Sequence, residues 1–194
     1  MKLQTMFAVA GAALFMALPA AALTTVYSTT LTGPGENPPN ASPATGMALV
    51  TVDDVANTMR VEASFSGLLG TVTAAHIHCC IAAPGNVGVA TTTPTFLGFP
   101  SGVTFGTYDQ TFDMTLASSY RAGFITDHGG TPASALFDLF TGIDLGQAYF
   151  NIHTTSFAGG EIRGFLAPVP EPGTYALMLV GLGAIGLIAR RRRR

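Results

Sequence analysis

From Met59 to Phe65, apolar side chains at Met59, Val61, Ala63 and Phe65 alternate with Arg60, Glu62 and Ser64. This is the period-two pattern of a strand with one face on a core and the other in water. Thr107 to Leu116 alternates likewise, with Tyr108, Gln110, Phe112, Met114 and Leu116 on one side. Met47 to Val52, Ala74 to Cys79, Ala148 to Thr154 and Glu161 to Leu166 are four further β candidates. Turn formers lie between them: Gly33-Pro34-Gly35, Pro38-Pro39, Pro84-Gly85-Asn86, Phe99-Pro100-Ser101-Gly102 and Gly129-Gly130. Short strands at this spacing predict a mainly β, antiparallel sandwich or barrel. One short helix is expected, capped by Thr131, with Pro132 at its first position, and running to about Phe140. No internal repeat, phosphate-binding glycine loop or Gly-x-Ser-x-Gly elbow occurs.

The two ends break this pattern. Met1 to Ala22 holds one cation, Lys2, then an apolar stretch from Met6 to Leu18, then Pro19-Ala20-Ala21-Ala22. Charged, apolar and small-residue regions in this order make an export signal, and the alanines suit a signal peptidase. Cleavage is expected after Ala22, leaving Leu23 first. At the other end, Val169-Pro170-Glu171-Pro172-Gly173 leads into an apolar segment, Thr174 to Ala189, and then five arginines, Arg190 to Arg194. As a helix that segment would reach about 24 Å, against a hydrocarbon core of about 30 Å. Snorkelling arginines would close the gap and hold the cationic end in the cytoplasm. The chain thus divides into a signal peptide (1–22), a β domain (23–167), a linker (168–173), a transmembrane helix (174–189) and a basic cytoplasmic tail (190–194).

Composition changes the picture in two ways. With 48% hydrophobic residues, the 194-residue chain has enough apolar surface for a core, which excludes a disordered polymer. Its formal charge of −2 hides an asymmetry, because five of its nine basic residues form the terminal run. Between the ends, only Arg60, Arg121 and Arg163 oppose ten acidic residues, a net charge of −7. Nucleic acid is excluded as a partner, since the body lacks a basic footprint.

Pro170-Glu171-Pro172, a short apolar segment and a terminal arginine cluster together resemble the PEP-CTERM sorting signal of Gram-negative bacteria, over about Val169 to Arg194. That resemblance implies a transient inner-membrane anchor, cleavage near the motif by an exosortase-type membrane protease, and delivery to the cell surface or extracellular matrix. A second resemblance rests on four segments in order. These are Leu31-Thr32-Gly33 through Glu36-Asn37-Pro38-Pro39, then Ala75-His76-Ile77-His78, Tyr149-Phe150-Asn151-Ile152-His153-Thr154, and Gly160-Glu161-Ile162-Arg163-Gly164. Together they look like the CHRD domain, a module named after chordin, over roughly Thr24 to Leu166. Cys79-Cys80 and Phe165 depart from the family pattern. The resemblance implies an immunoglobulin-like β fold and no established enzymatic activity.

Candidate chemistry centres on few residues. In a strand, His76, His78 and Cys80 share one face. A His-x-His pair can place two imidazoles on one metal, with His153 as a third ligand from another strand. Copper–zinc superoxide dismutases, also β sandwiches, use such a pair, but their full ligand set is not visible here, since only His128 remains. The competing reading has the imidazoles capping strands through backbone carbonyls or carboxylates. Glu161 and Arg163 share a face and are expected to pair with each other, or with His153 and Asn151, as a structural polar network. Export places Cys79 and Cys80 in an oxidising compartment. Neighbouring Cα atoms stand about 3.8 Å apart across a trans peptide, below the about 4.4 Å where ordinary disulfides begin. Vicinal bridge, free thiols, intermolecular bridge and metal ligation therefore all stay open.

The expected protein is an exported, non-enzymatic module with an immunoglobulin-like or superoxide-dismutase-like sandwich and no cofactor. Its expected partners are signal peptidase, the exosortase-type protease, and exopolysaccharide or other surface proteins. The alternative is a copper or zinc protein using His76, His78 and His153, redox activity included.

Overall fold

The computed structural model describes residues 24–170 and, in helical conformation, positions 181, 182, 185 and 190. The expected signal peptide, Glu171, Pro172 and nearly all of the expected transmembrane helix and basic tail lie outside the described residues. Among the described residues no helix is long and apolar enough to cross a membrane.

Eight strands and two helices follow in the order β1 (Thr24–Thr32), β2 (Thr45–Asp53), β3 (Thr58–Ser66), β4 (Val72–Cys79), β5 (Gly106–Asp113), α1 (Ala122–Asp127), α2 (Pro132–Asp144), β6 (Ala148–Thr154), β7 (Ile162–Phe165) and β8 (Ala167–Pro168). They form one antiparallel sheet in the order β4-β6-β7-β1-β2-β3-β5, with β8 also on β1. The sheet curls so that its halves face each other, and the expected sandwich is realised by one continuous ladder. The strand β1 stands outside the expected set, because Thr24 to Thr32 is threonine-rich and buries only Tyr27 and Leu31.

Alternation puts Val50, Met59, Val61 and Phe112 into the core from one half, and Ala75, Ile77, Phe150 and Ile152 from the other. Phe96, from the segment between β4 and β5, stacks 5.8 Å from Phe150 and lies 5.3 Å from Phe112, tying the halves together. Such aromatic pairs add about 0.5–1.5 kcal/mol each beyond the area they bury.

The helix α2 starts where the Thr131-Pro132 signal places it. Thr131 accepts from the Ser134 amide at 3.1 Å, and the Ser134 hydroxyl closes a capping box. It runs four residues past Phe140, to Asp144, and the six-residue α1 precedes it. Tyr27 Oη donates to Asp144 at 3.1 Å and fixes the end of α2 to β1. The inner face of α2 packs on the end of β4, where Cys79 and Cys80 are joined as a vicinal disulfide across a cis peptide, their Cα atoms 3.1 Å apart. Of the four alternatives for these cysteines, this is the one the structure adopts.

Gly142 makes the seat for that bridge. A Cβ there would run into Cys79 Sγ and stand 2.7 Å from Cys80 Sγ. Gly→Ala in a helix ordinarily stabilises by about 1 kcal/mol, whereas overpacking costs about 1–3 kcal/mol. Gly142→Ala should therefore destabilise the oxidised protein by about 1–2 kcal/mol in urea unfolding. In a background with both cysteines changed to alanine, the same substitution should become neutral or stabilising. A stabilising effect in the oxidised protein would refute the packing account.

Candidate metal centre

Strands β4, β6 and β7 are buried on both faces. One face feeds the apolar core. The other carries Ala74, His76 and His78 of β4, Tyr149, Asn151 and His153 of β6, and Arg163 of β7, with Asn151 opposite both His76 and Arg163. This second face is the polar one. Here it is roofed by the loop after β1 and the long segment after β4, so that His76 and His78 are buried and His153 is half-buried.

Each imidazole has one nitrogen engaged by a backbone carbonyl. His76 Nε2 donates to Pro94 O at 2.6 Å, His78 Nδ1 to Val87 O at 2.8 Å, and His153 Nδ1 to Ala158 O at 2.9 Å. A carbonyl can only accept, so these contacts fix the tautomers. The lone pairs are left on His76 Nδ1, His78 Nε2 and His153 Nε2. All three of those atoms are buried and have no hydrogen-bond partner among the described residues. The three rings present nitrogens that lie within 4.8 Å of one another, and a transition metal about 2.1 Å from each would draw them closer. The carbonyls are the outer-shell contacts that orient metal-ligating imidazoles. The strand-capping role thus accounts for one nitrogen of each ring and leaves the other free for a Lewis acid. His128 takes no part, since it pairs with Asp138 at 2.8 Å.

Burial pushes His76 and His78 down to about 4, although their carbonyl contacts act the other way, and burial lowers His153 as well. Neutral imidazoles are the form a metal requires.

The expected pairing of Glu161 with Arg163 is not made. Glu161 lies just before β7 and has a different set of partners. Its carboxylate accepts from Leu69 N at 2.6 Å, Gly70 N at 3.2 Å, Ser42 Oγ at 2.7 Å and Thr154 Oγ1 at 2.7 Å. Burial raises its pKa, but the four donors outweigh burial and hold it below the usual range. Arg163, 1% exposed, reaches into the roof. It donates to Gly35 O at 2.7 Å, Pro84 O at 2.8 Å and Asn86 Oδ1 at 2.6 Å. It also lies 4.6 Å from the Tyr149 ring, which stacks on His78 at 4.7 Å.

Glu36, to which sequence reasoning gave no role, is buried 3.8 Å from the Arg163 guanidinium. Burial pushes its carboxyl up to about 7, against the pull of Arg163. A lone acid in a Gly-Pro-rich loop is the signal that could have flagged it. A groove of about 710 Å³ runs past Thr30, Met47, Ser64 and Phe105 on the opposite half and touches none of these groups; the free imidazole nitrogens are enclosed by their own burial.

A curled antiparallel β domain with an enclosed cluster of three histidines defines the class of protein. The family model of the CHRD domain matches residues 27–166, and that of the PEP-CTERM protein-sorting motif matches residues 168–194. The chain belongs to the CHRD domain family. The sorting motif implies export to the cell envelope or surface and processing by an exosortase-type protease. No curated protein and no solved structure matches the chain.

Two predictions follow from this geometry. Arg163→Ala should destabilise the protein by about 2–4 kcal/mol, as expected for breaking a buried charged network. Arg163→Lys should recover only part, because an ammonium lacks the planar fork. Arg60→Ala should leave the urea midpoint unchanged, since Arg60 and its partner Asp109 are exposed. Equal midpoints for Arg163→Ala and wild type would refute the fastening role.

The second concerns pH. Unfolded histidines bind protons near 6.5, whereas His76 and His78 folded do so only near 4. Stability of the metal-free protein should therefore fall as pH drops from about 6.5 towards 4. Glu36 opposes this, because its raised pKa stabilises at low pH and that contribution is lost as pH rises to about 7. Three imidazoles outweigh one carboxyl, so the urea midpoint measured in chelator should be lower at pH 4.5 than at pH 6.5. A flat or inverted profile would contradict the burial assigned to these rings.

Proposed function

We propose that this is an exported CHRD protein that carries a transition-metal ion, copper or zinc, on His76, His78 and His153. The reading extends to removal of residues 1–22, a transient anchor through 174–189, and delivery to the cell surface or extracellular matrix. The observation that carries the metal assignment is the convergence of three buried imidazole nitrogens, each left as a bare lone pair by a carbonyl on its other side. Imidazole donors suit copper and zinc, whereas calcium and magnesium prefer oxygen. The proposed role is binding rather than catalysis.

A second reading, a metal-free module that holds exopolysaccharide or other surface proteins, draws on the open groove. Its lining of Thr30, Thr45, Met47, Ser64, Phe105 and Thr107 is uncharged, and Phe105 is 70% exposed. Hydroxyls beside an aromatic ring suit a neutral sugar chain.

Native and denaturing mass spectrometry of protein recovered from the cell exterior distinguishes these readings. One copper or zinc per chain is expected, lost in His76→Ala and His153→Ala, on a chain that starts at Leu23 and ends near Pro170. A folded, metal-free protein that takes up neither metal would overturn the assignment. Recovery of chains retaining the five arginines would show a permanent anchor.

A further inference from the structure

Five buried side-chain polar atoms lack a hydrogen-bond partner among the described residues, and all belong to the polar face of β4 and β6 or to the loop that roofs it. Three are the imidazole nitrogens above. The other two are Asn151 Oδ1 and Glu36 Oε1. Asn151 stands opposite His76 across the β4–β6 ladder and two residues before His153 on the same face of β6. Its amide and the Glu36 carboxyl meet beside Gly160, where a Cβ would come within 2.6 Å of the amide and 2.7 Å of Glu36 Oε1. Gly160 has φ +128°, a conformation other residues rarely adopt, so the notch stays open. Asn151 and Glu36 are 2% and 7% exposed.

Buried orphans are rare and costly, at about 1–3 kcal/mol each. With Glu36 ionised, a bare metal ion would satisfy three of the five and leave two acceptors without donors. A metal ion carrying one water satisfies all five, because the ion takes three nitrogen lone pairs and the water has two hydrogens to give. Three protein ligands plus a water is also the arrangement that separates open centres from closed structural ones. We infer that the fourth position of the centre holds a water molecule whose hydrogens are accepted by Asn151 Oδ1 and Glu36 Oε1, and that this position is exchangeable for a small anion.

The inference rests on the metal assignment, and it makes Asn151 and Glu36 positioning residues for the bound water rather than ligands. Among the described residues the other groups near the notch fit this role. Glu161 is saturated by its own four donors. Arg163 spends its shortest contacts on the roof, leaving 3.8 Å to the Glu36 carboxyl.

The test uses the full chain loaded with Cu(II) alone and titrated with sodium azide, followed by optical absorption and by pulsed EPR in D₂O. Wild type should bind one copper, show exchangeable deuterons coupled directly to it, and lose them as azide binds. Asn151→Leu should keep one copper per chain and bind azide about tenfold more tightly, because the displaced water has lost one acceptor. Asn151→Asp, which keeps an acceptor oxygen, should return to wild-type azide affinity or weaker. Copper-loaded wild type without coupled deuterons or an azide response would show a closed centre and overturn the inference. Equal azide affinity in wild type and Asn151→Leu would overturn it as well. Failure of wild type to take up copper or zinc at all would instead overturn the metal assignment beneath it.

Discussion

A guanidinium is buried in this domain, and the rest of the polar layer depends on how it is satisfied. Taking a charge out of water is tolerable only when the group is paired or hydrogen-bonded. Arg163 meets that condition with acceptors from two separate loops, Gly35 on one side and Pro84 and Asn86 on the other. The same loops are cross-linked beside it, Asn37 Nδ2 donating to Pro84 O and Asn86 Nδ2 to Asn37 O. One side chain rising from β7 therefore holds a roof over three strands.

The roof in turn sets the state of the histidines. Val87 and Pro94 belong to the segment that Arg163 helps to hold, and their carbonyls choose which nitrogen of His78 and His76 keeps its proton. The turn after β6 does the same for His153 through Ala158. Burial under the roof keeps the rings neutral. The order of dependence runs from the arginine fork, to loop position, to tautomer, to the nitrogen each ring leaves free. The fold itself holds the three rings in place, and such preorganisation lowers the ordering cost of any ligand they take.

The last pairings of the domain are made before the Pro-Glu-Pro motif itself. The short β8 pairs with β1, and the Val169 amide still donates to Val26 O at 2.8 Å, one residue before Pro170. Loss of the chain beyond that point removes none of the described strands. The polar layer lies on the β4–β6–β7 half, and the uncharged groove lies on the β1–β2–β3–β5 half, so the two faces can serve different ligands.

The strands that alternate cleanly were legible in the sequence. Met59 to Phe65 and Ala148 to Thr154 say where they begin and end, because a one-residue slip would turn every core side chain outward. The helix start at Thr131-Pro132 and the terminal sorting motif were equally plain, being set by contacts within a few residues. The pairing His76-x-His78 with His153 was visible as a ligand pattern, since strand alternation puts the first two on one side. What the chain alone left open was whether that side met water. Alternation marks a polar face, but burial of that face depends on loops at Gly35, 43 residues before His78, and at Val87, 9 residues after it. For the same reason Glu161 and Arg163, alike in spacing, part company: local geometry puts them on one side, and distant backbone donors and acceptors claim each separately. Only the tertiary structure could decide which imidazole nitrogens stay free, because a tautomer is chosen by whichever carbonyl the fold brings alongside.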